Sequence, residues 1–176
     1  MDKYLTLPLK DEDIEEINTG DTVYLSGEMY VARDAAHKRI YDLINDDKPL
    51  PVDLSGVCIY YMGPSPARPG RVIGSAGPTT ATRMDKYAPA FLDHGVKVMI
   101  GKGRRSDEVR DGIIKNHGVY FAAVGGAGAL LSKCITASEI VCYEDLGAEA
   151  VRRITVENFP VIAAMDCRGN DIYKKS

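Results

Sequence analysis

Apolar positions along the chain alternate between two kinds of pattern. Short runs dominated by β-branched and aromatic residues predict strands at 56–62 (GVCIYYM, a buried one), 96–100 (VKVMI) and 119–124 (VYFAAV). Apolar residues at helical spacing predict helices at 33–45, where Ala36, Ile40, Leu43 and Ile44 share a face, at 80–93 and at 107–116. A short strand at 72–75, a helix at 127–135 and a strand at 140–143 extend the alternation. Residues 22–31 (TVYLSGEMYV) read as a strand with a bend or hairpin turn at Gly27. Alternation of this kind predicts parallel βαβ units with right-handed crossovers. At the ends, 4–9 reads as an edge strand and 11–17 as a short acidic helix. Residues 154–156 and 161–165, around Asn158-Phe159-Pro160, read as strands that need not join the same sheet. The expectation is one α/β domain over 1–176, with a second, smaller sheet built from the two ends.

Composition narrows the function. The 176 residues are 45% hydrophobic and 27% charged, ordinary for a folded globular domain and not for a disordered chain. A net charge of −3 offers no general attraction to nucleic acid or to an anionic membrane, so anion recognition has to be local. The opening residues, MDKYLTLPLKDEDIEE, lack the apolar stretch of a secretory signal, and no apolar run is long enough to span a bilayer. A cytoplasmic protein is therefore expected. Cys58, Cys134, Cys142 and Cys167 form no CxxC pair and sit mostly among apolar neighbours. They read as small buried side chains in a reducing compartment, not as a metal site. Cys167, between Asp166 and Arg168, is expected to be the most exposed of them.

Three segments could carry chemistry. GSAGPTTATRMD (74–85) follows a predicted strand and opens a predicted helix, where free backbone N–H groups favour an anion and Thr79 or Thr80 would act as the N-cap. Arg83 in the first turn is electrostatically misplaced unless an anion lies nearby. It lacks the GxxxxGK[ST] pattern of a P-loop. In MIGKGRRSDE (99–108), Lys102 sits between two glycines at a strand end, whereas Arg104 and Arg105 read as a solvated basic loop before a helix capped by Ser106. In VARDAAHKR (31–39), Arg33 stands where a strand hands over to a helix, Asp34 suits the helix dipole, and His37 lies one turn on. A lone histidine there reads as a surface or satisfied core residue. Arg33, Arg83 and Lys102 all follow predicted strands, so parallel strands would bring three cations to one end. Such a cluster suits a ligand with more than one carboxylate. The glycine-rich run 125–131 would close the same rim.

Those segments also carry a resemblance. ARDAAHKR at 32–39, GSAGPTTATRMDKY at 74–87 and MIGKG followed by RS at 99–106 resemble the beta subunit, or C-terminal domain, of class I iron–sulfur fumarases and of the related L(+)-tartrate dehydratases. The likeness extends through HGVYFAAVGGAGALL (117–131) and VENFPVIAAMDCRGNDIY (156–173) and covers nearly the whole chain from about Val23. It implies a swivelling β/β/α domain of three layers, with a mainly parallel central sheet and a smaller second sheet. It implies a hetero-oligomer in which a separate alpha subunit holds a 4Fe-4S cluster, this chain binding no cofactor of its own. A chain of this length beginning at Met1 is expected to be a beta half.

By motif, Arg33, Arg83 and Lys102 would clamp the carboxylates of a small dicarboxylate, with Thr80 beside them. Thr79 would lie against the carbon that gains or loses the proton, and His37 is the reserve candidate for a relay. The expected reaction is reversible hydration of fumarate to (S)-malate. Two departures from the family pattern, Thr82 in place of glycine and Arg104 in place of asparagine, leave fumarate, mesaconate and tartrate as open substrates. The rival from another class is a stand-alone dicarboxylate-binding module without catalysis.

Overall fold

The structure is a computed structural model that describes residues 2–62, 76–123 and 131–174. The strand expected at 72–75, residues 125–130 of the glycine-rich run and the first four residues of the helix expected at 127–135 lie outside them; that helix's last position, Ile135, begins a strand.

Among the described residues, seven strands form one hydrogen-bonded network in the order β1-β2-β3-β4-β5-β7-β6, with β2 also paired to β7. They are β1 (Asp2–Thr6), β2 (Thr22–Val31), β3 (Cys58–Tyr60), β4 (Val98–Gly101), β5 (Val119–Ala123), β6 (Ile135–Cys142) and β7 (Val151–Met165). The helices are α1 (Asp11–Glu15), α2 (Asp34–Asn45), α3 (Ala88–Asp93) and α4 (Asp107–Asn116). β2, β3, β4 and β5 run parallel to one another, as the βαβ alternation requires. β7 then pairs antiparallel with both β5 and β2 and closes a ring. The separate smaller sheet expected from the chain ends is thus not independent: β1 continues one edge of β2, and β6 hangs on β7.

Residues on the two sides of the ring strands enter different cores. Cys58, Tyr60, Val98, Ile100, Val119 and Phe121 face inward, with Val156, Phe159 and Val161 of β7. Ile59, Met99 and Tyr120 face outward against Ala36 and Ile40 of α2, Phe91 and Leu92 of α3, and Val109 and Ile113 of α4. The period of two along a strand produces this division, and burial on both faces is why these strands read as unbroken apolar runs.

Three local expectations change. Gly27 makes no hairpin: β2 passes straight through, with a register shift between Leu25 and Gly27. A Cβ there would stand 2.9 Å from the Leu7 carbonyl oxygen, so the glycine admits the backbone that leaves β1. The two tail strands are one, β7. Its extra residue is taken up by a bulge at Asn158, which has φ 49° and an N–H bonded to Ser26 Oγ at 3.0 Å. The helix expected at 80–93 is divided into a 3-10 turn, Ala81–Met84, and α3. Pro89 has no N–H to continue a helix through Asp85, but it fits the first turn of a new one.

Candidate active site

Because β2, β3 and β4 are adjacent and parallel, the residues that follow them lie along one edge of the ring. Arg33 follows β2, and the Ala32 N–H bonds the Tyr60 carbonyl at 3.2 Å. After β3, the Thr79 N–H donates to the Tyr61 carbonyl at 2.8 Å. The Thr79 carbonyl accepts from the Lys102 N–H at 3.2 Å, and the Ala81 N–H donates to the Lys102 carbonyl at 2.8 Å. Thr80 and Lys102 thereby pair as a parallel β-bridge. The 79–81 segment is wedged between the ends of β3 and β4. Gly101 permits the fit, since a Cβ on it would lie 2.8 Å from Tyr61 Cδ2 and 3.1 Å from Ala81 Cβ.

The structure brings Arg33 and Arg83 to one carboxylate. Arg83 Nε donates to Asp34 Oδ2 at 2.9 Å, and Arg33 Nε stands 3.8 Å from Asp34 Oδ1. Lys102 is exposed, makes no ion pair with the described residues, and is tied to Thr79 and Ala81 through backbone hydrogen bonds alone. Thr79 is half-buried and Thr80 exposed. Thr80 does occupy the N-cap position of the 3-10 turn, but its hydroxyl makes no capping bond. The N–H groups of Thr79 and Ala81 are consumed by the strand ends. A four-residue 3-10 turn, Ala81–Met84, stands where the motif was expected to open a longer helix, so recognition of an anion here would draw mainly on cationic side chains.

His37 is a core residue, only 1% exposed. Its ring stacks on Phe91 with centroids 4.6 Å apart and meets Tyr61 edge-on at 5.3 Å. Its Nδ1 lies 2.8 Å from the Arg33 carbonyl oxygen. A carbonyl only accepts, so Nδ1 carries the proton. Burial dominates the imidazole's titration and pushes its pKa down from 6.5 to about 4, with the Arg33 carbonyl working in the opposite direction. His37 is thus a neutral prop under Arg33.

Arg105 corrects the reading of 104–105 as a solvated loop. Arg104 is exposed, but the Arg105 side chain is completely shielded. Its Nε donates to Asp85 Oδ1 at 2.7 Å and its Nη2 to the Tyr61 hydroxyl at 3.1 Å. The guanidinium lies over the Tyr61 and Tyr120 rings, 5.1 and 4.7 Å from their centroids. Burial opposes the charge, but Tyr61, Asp85 and Tyr120 more than offset it and raise the pKa further. Asp85 Oδ2 also accepts the Ser106 N–H at 2.7 Å. This network pins the turn carrying Arg83 to the loop that follows Lys102. A sequence signal existed in Tyr61 and Tyr120, two polar-tipped aromatics on helix-facing strand positions that need a partner.

Arg83 lines an open groove with Thr82, Asp85, Lys86, Pro89, Ser106 and Glu108. A cavity of about 360 Å³ lies elsewhere, by the amino-terminal end of β3 and lined by Met29, Ser55, Val57 and Arg153. The site residues decide the chemistry here, since that cavity holds none of them. The described residues do not offer the converging donors an iron–sulfur cluster needs. Among the described residues no three His, Cys, Asp or Glu side chains converge as metal ligands. Cys58 and Cys167 are buried, and the expectation of an exposed Cys167 fails because its thiol packs against the Ile14 carbonyl at 3.9 Å.

A family model described as the fumarase C-terminus matches residues 3–176. The chain is 39% identical over 168 residues to fumarate hydratase 2 of Leishmania major, covering 94% of this chain and 29% of that protein. It is 37% identical over 175 residues to the anaerobic class I fumarate hydratase of Escherichia coli K12, covering 97% of this chain and 32% of that protein. With the L(+)-tartrate dehydratase subunit beta of the same organism it shares 33% identity over 181 residues, covering 100% of this chain and 89% of that subunit. The chain thus spans less than a third of the fumarate hydratases and nearly all of the beta subunit.

Proposed function

Since the chain belongs to the fumarase C-terminus family, we propose that it is the beta subunit of a class I fumarate hydratase, interconverting fumarate and (S)-malate with an alpha subunit. One observation carries the reading. Three adjacent strand ends deliver Arg33, the 79–83 turn and Lys102 to one edge, with Arg33 and Arg83 already gathered around a carboxylate. A dicarboxylate is the ligand whose charge such an edge matches.

Arg33, Arg83 and Lys102, with Thr80 beside them, bind and orient the substrate's carboxylates. Removing a proton from the carbon next to a carboxylate moves charge onto its oxygens, and fixed cations stabilise that developing charge. Thr79 holds or receives this proton through its hydroxyl. A hydroxyl is a weak base, so the role depends on the surrounding cations lowering the cost of its anion. His37 acts from below by fixing the Arg33 backbone. The 4Fe-4S cluster expected from the resemblance belongs to the alpha subunit, and nothing assigned to this chain's residues passes through it. No helix among the described residues is long and apolar enough to cross a membrane, and we place the complex in the cytoplasm.

The second reading, the beta subunit of an L(+)-tartrate dehydratase, is favoured by the relatives of that name. Anaerobic affinity purification of the chain from its native cells tests both. A larger subunit that co-elutes with iron, sulfide and fumarate hydration supports the first reading. Turnover of tartrate in place of fumarate supports the second. A chain that elutes alone, iron-free and inert overturns both.

A further inference from the structure

Asp34, the first residue of α2, lies between the two arginines. Each of its oxygens faces a different one: Oδ2 accepts from Arg83 Nε at 2.9 Å, and Oδ1 stands 3.8 Å from Arg33 Nε. Both Asp34 Oδ1 and Arg33 Nε are buried and without a hydrogen-bond partner among the described residues. The Arg33 and Asp34 side chains keep 23% and 30% of their exposure. Their charges therefore act through a medium less screening than open water. The arginines follow different strands, β2 and β3, and like charges brought together repel. Asp34 offsets that repulsion.

The choice of Nε matters. Asp34 takes the inner corner of the Arg83 guanidinium. Nη1 and Nη2 have no partner among the described residues, and the side chain as a whole is 52% exposed. A guanidinium grips a carboxylate best through two parallel N–H bonds. We propose that Asp34 is a positioning residue, which fixes Arg83 through Nε so that its Nη1/Nη2 edge is presented to a substrate carboxylate and keeps Arg33 beside it. This rests on the substrate-binding reading given above.

Asparagine at 34 keeps an oxygen acceptor for Nε, whereas alanine does not. Arginine side-chain NMR on the full chain, with the Arg83 signal assigned by its loss in Arg83→Lys, reads the bond directly. A slowly exchanging Nε–H is expected in the wild type and in Asp34→Asn. Exchange about tenfold faster or more is expected in Asp34→Ala. In the complex with the alpha subunit, Asp34→Ala raises the KM for fumarate about tenfold or more with little change in kcat, and Asp34→Asn, which keeps the acceptor for Nε but loses the charge, raises it by clearly less. A wild-type KM in Asp34→Ala overturns the inference, as does an Asp34→Asn variant as impaired as Asp34→Ala, or an Arg83 Nε–H that exchanges freely in the wild type. If the wild-type complex turns over neither fumarate nor tartrate, the functional reading falls, and the NMR measurement alone decides the role of Asp34.

Discussion

Arg105 reaches back 20 residues to Asp85, Nε to Oδ1 at 2.7 Å, with its own side chain wholly out of solvent. The pair joins the turn after β3 to the loop after β4. It therefore holds together two of the three segments that form the candidate site. Removing one member of a buried pair leaves the other charge uncompensated, which typically costs about 3–5 kcal/mol. Arg105→Met should fall near the lower end, about 3 kcal/mol, because Asp85 keeps the Ser106 N–H. Chemical denaturation of the purified chain measures it, and a loss below half of that would mean the pair contributes little.

Gly101→Ala tests the wedge between β3 and β4. The added methyl meets Tyr61 Cδ2 and Ala81 Cβ at 2.8 and 3.1 Å. Overpacking of this kind costs roughly 1–3 kcal/mol. The 79–81 segment is the side that has to give way, so turnover should drop more than stability does. A variant with wild-type kcat/KM would show that the close fit is dispensable.

Sequence and structure agree where local periodicity suffices. The helix at 107–116 and the strand at 22–31 were legible from apolar spacing, and the run of strands ending in Arg33 and Lys102 follows from their order. What was not legible depends on partners far away in the chain. Arg105 looks like any basic loop residue until Tyr61, Tyr120 and Asp85 surround it. Asp34 suits a helix dipole, and only the proximity of Arg83 gives it a second task. The ring closes by pairing β7 with β2, more than a hundred residues apart, and no local pattern encodes that register.

His37 should make the fold acid-sensitive. Its folded pKa, about 4, lies below the unfolded 6.5, so between these values the unfolded chain binds more protons. Its stabilising contribution is complete above pH 6.5 and is lost as pH falls toward 4. A lowering from 6.5 to about 4 corresponds to roughly 3 kcal/mol at most. Denaturation midpoints of wild type and His37→Phe, compared from pH 7 to pH 4, should converge as the pH drops. Parallel curves would place the acid sensitivity elsewhere.

Thr79→Ala separates catalysis from binding in the proposed enzyme. Loss of a proton-transferring group should lower kcat by roughly 10²-fold or more with little change in KM. Arg83→Ala should instead raise KM about tenfold or more, the loss of a charge-assisted hydrogen bond to substrate. Steady-state kinetics of the complex distinguish them. Equal effects on both constants in both variants would argue against the division of roles.

The strand that closes the ring is also the last of the described strands to be made. When β2 to β5 have left the ribosome, Arg33, Thr79, Arg83 and Lys102 have all been synthesised, but β2 and β5 still present bare edges that only β7 fills among the described strands. Unpaired strand edges recruit other chains, and long-range closure is slow. The nascent protein therefore carries its chemical groups through an interval in which nothing holds them in register. Shelter during that interval, by a chaperone or by early contact with the proposed alpha subunit, would govern the yield of correctly closed protein as much as the strength of the finished fold.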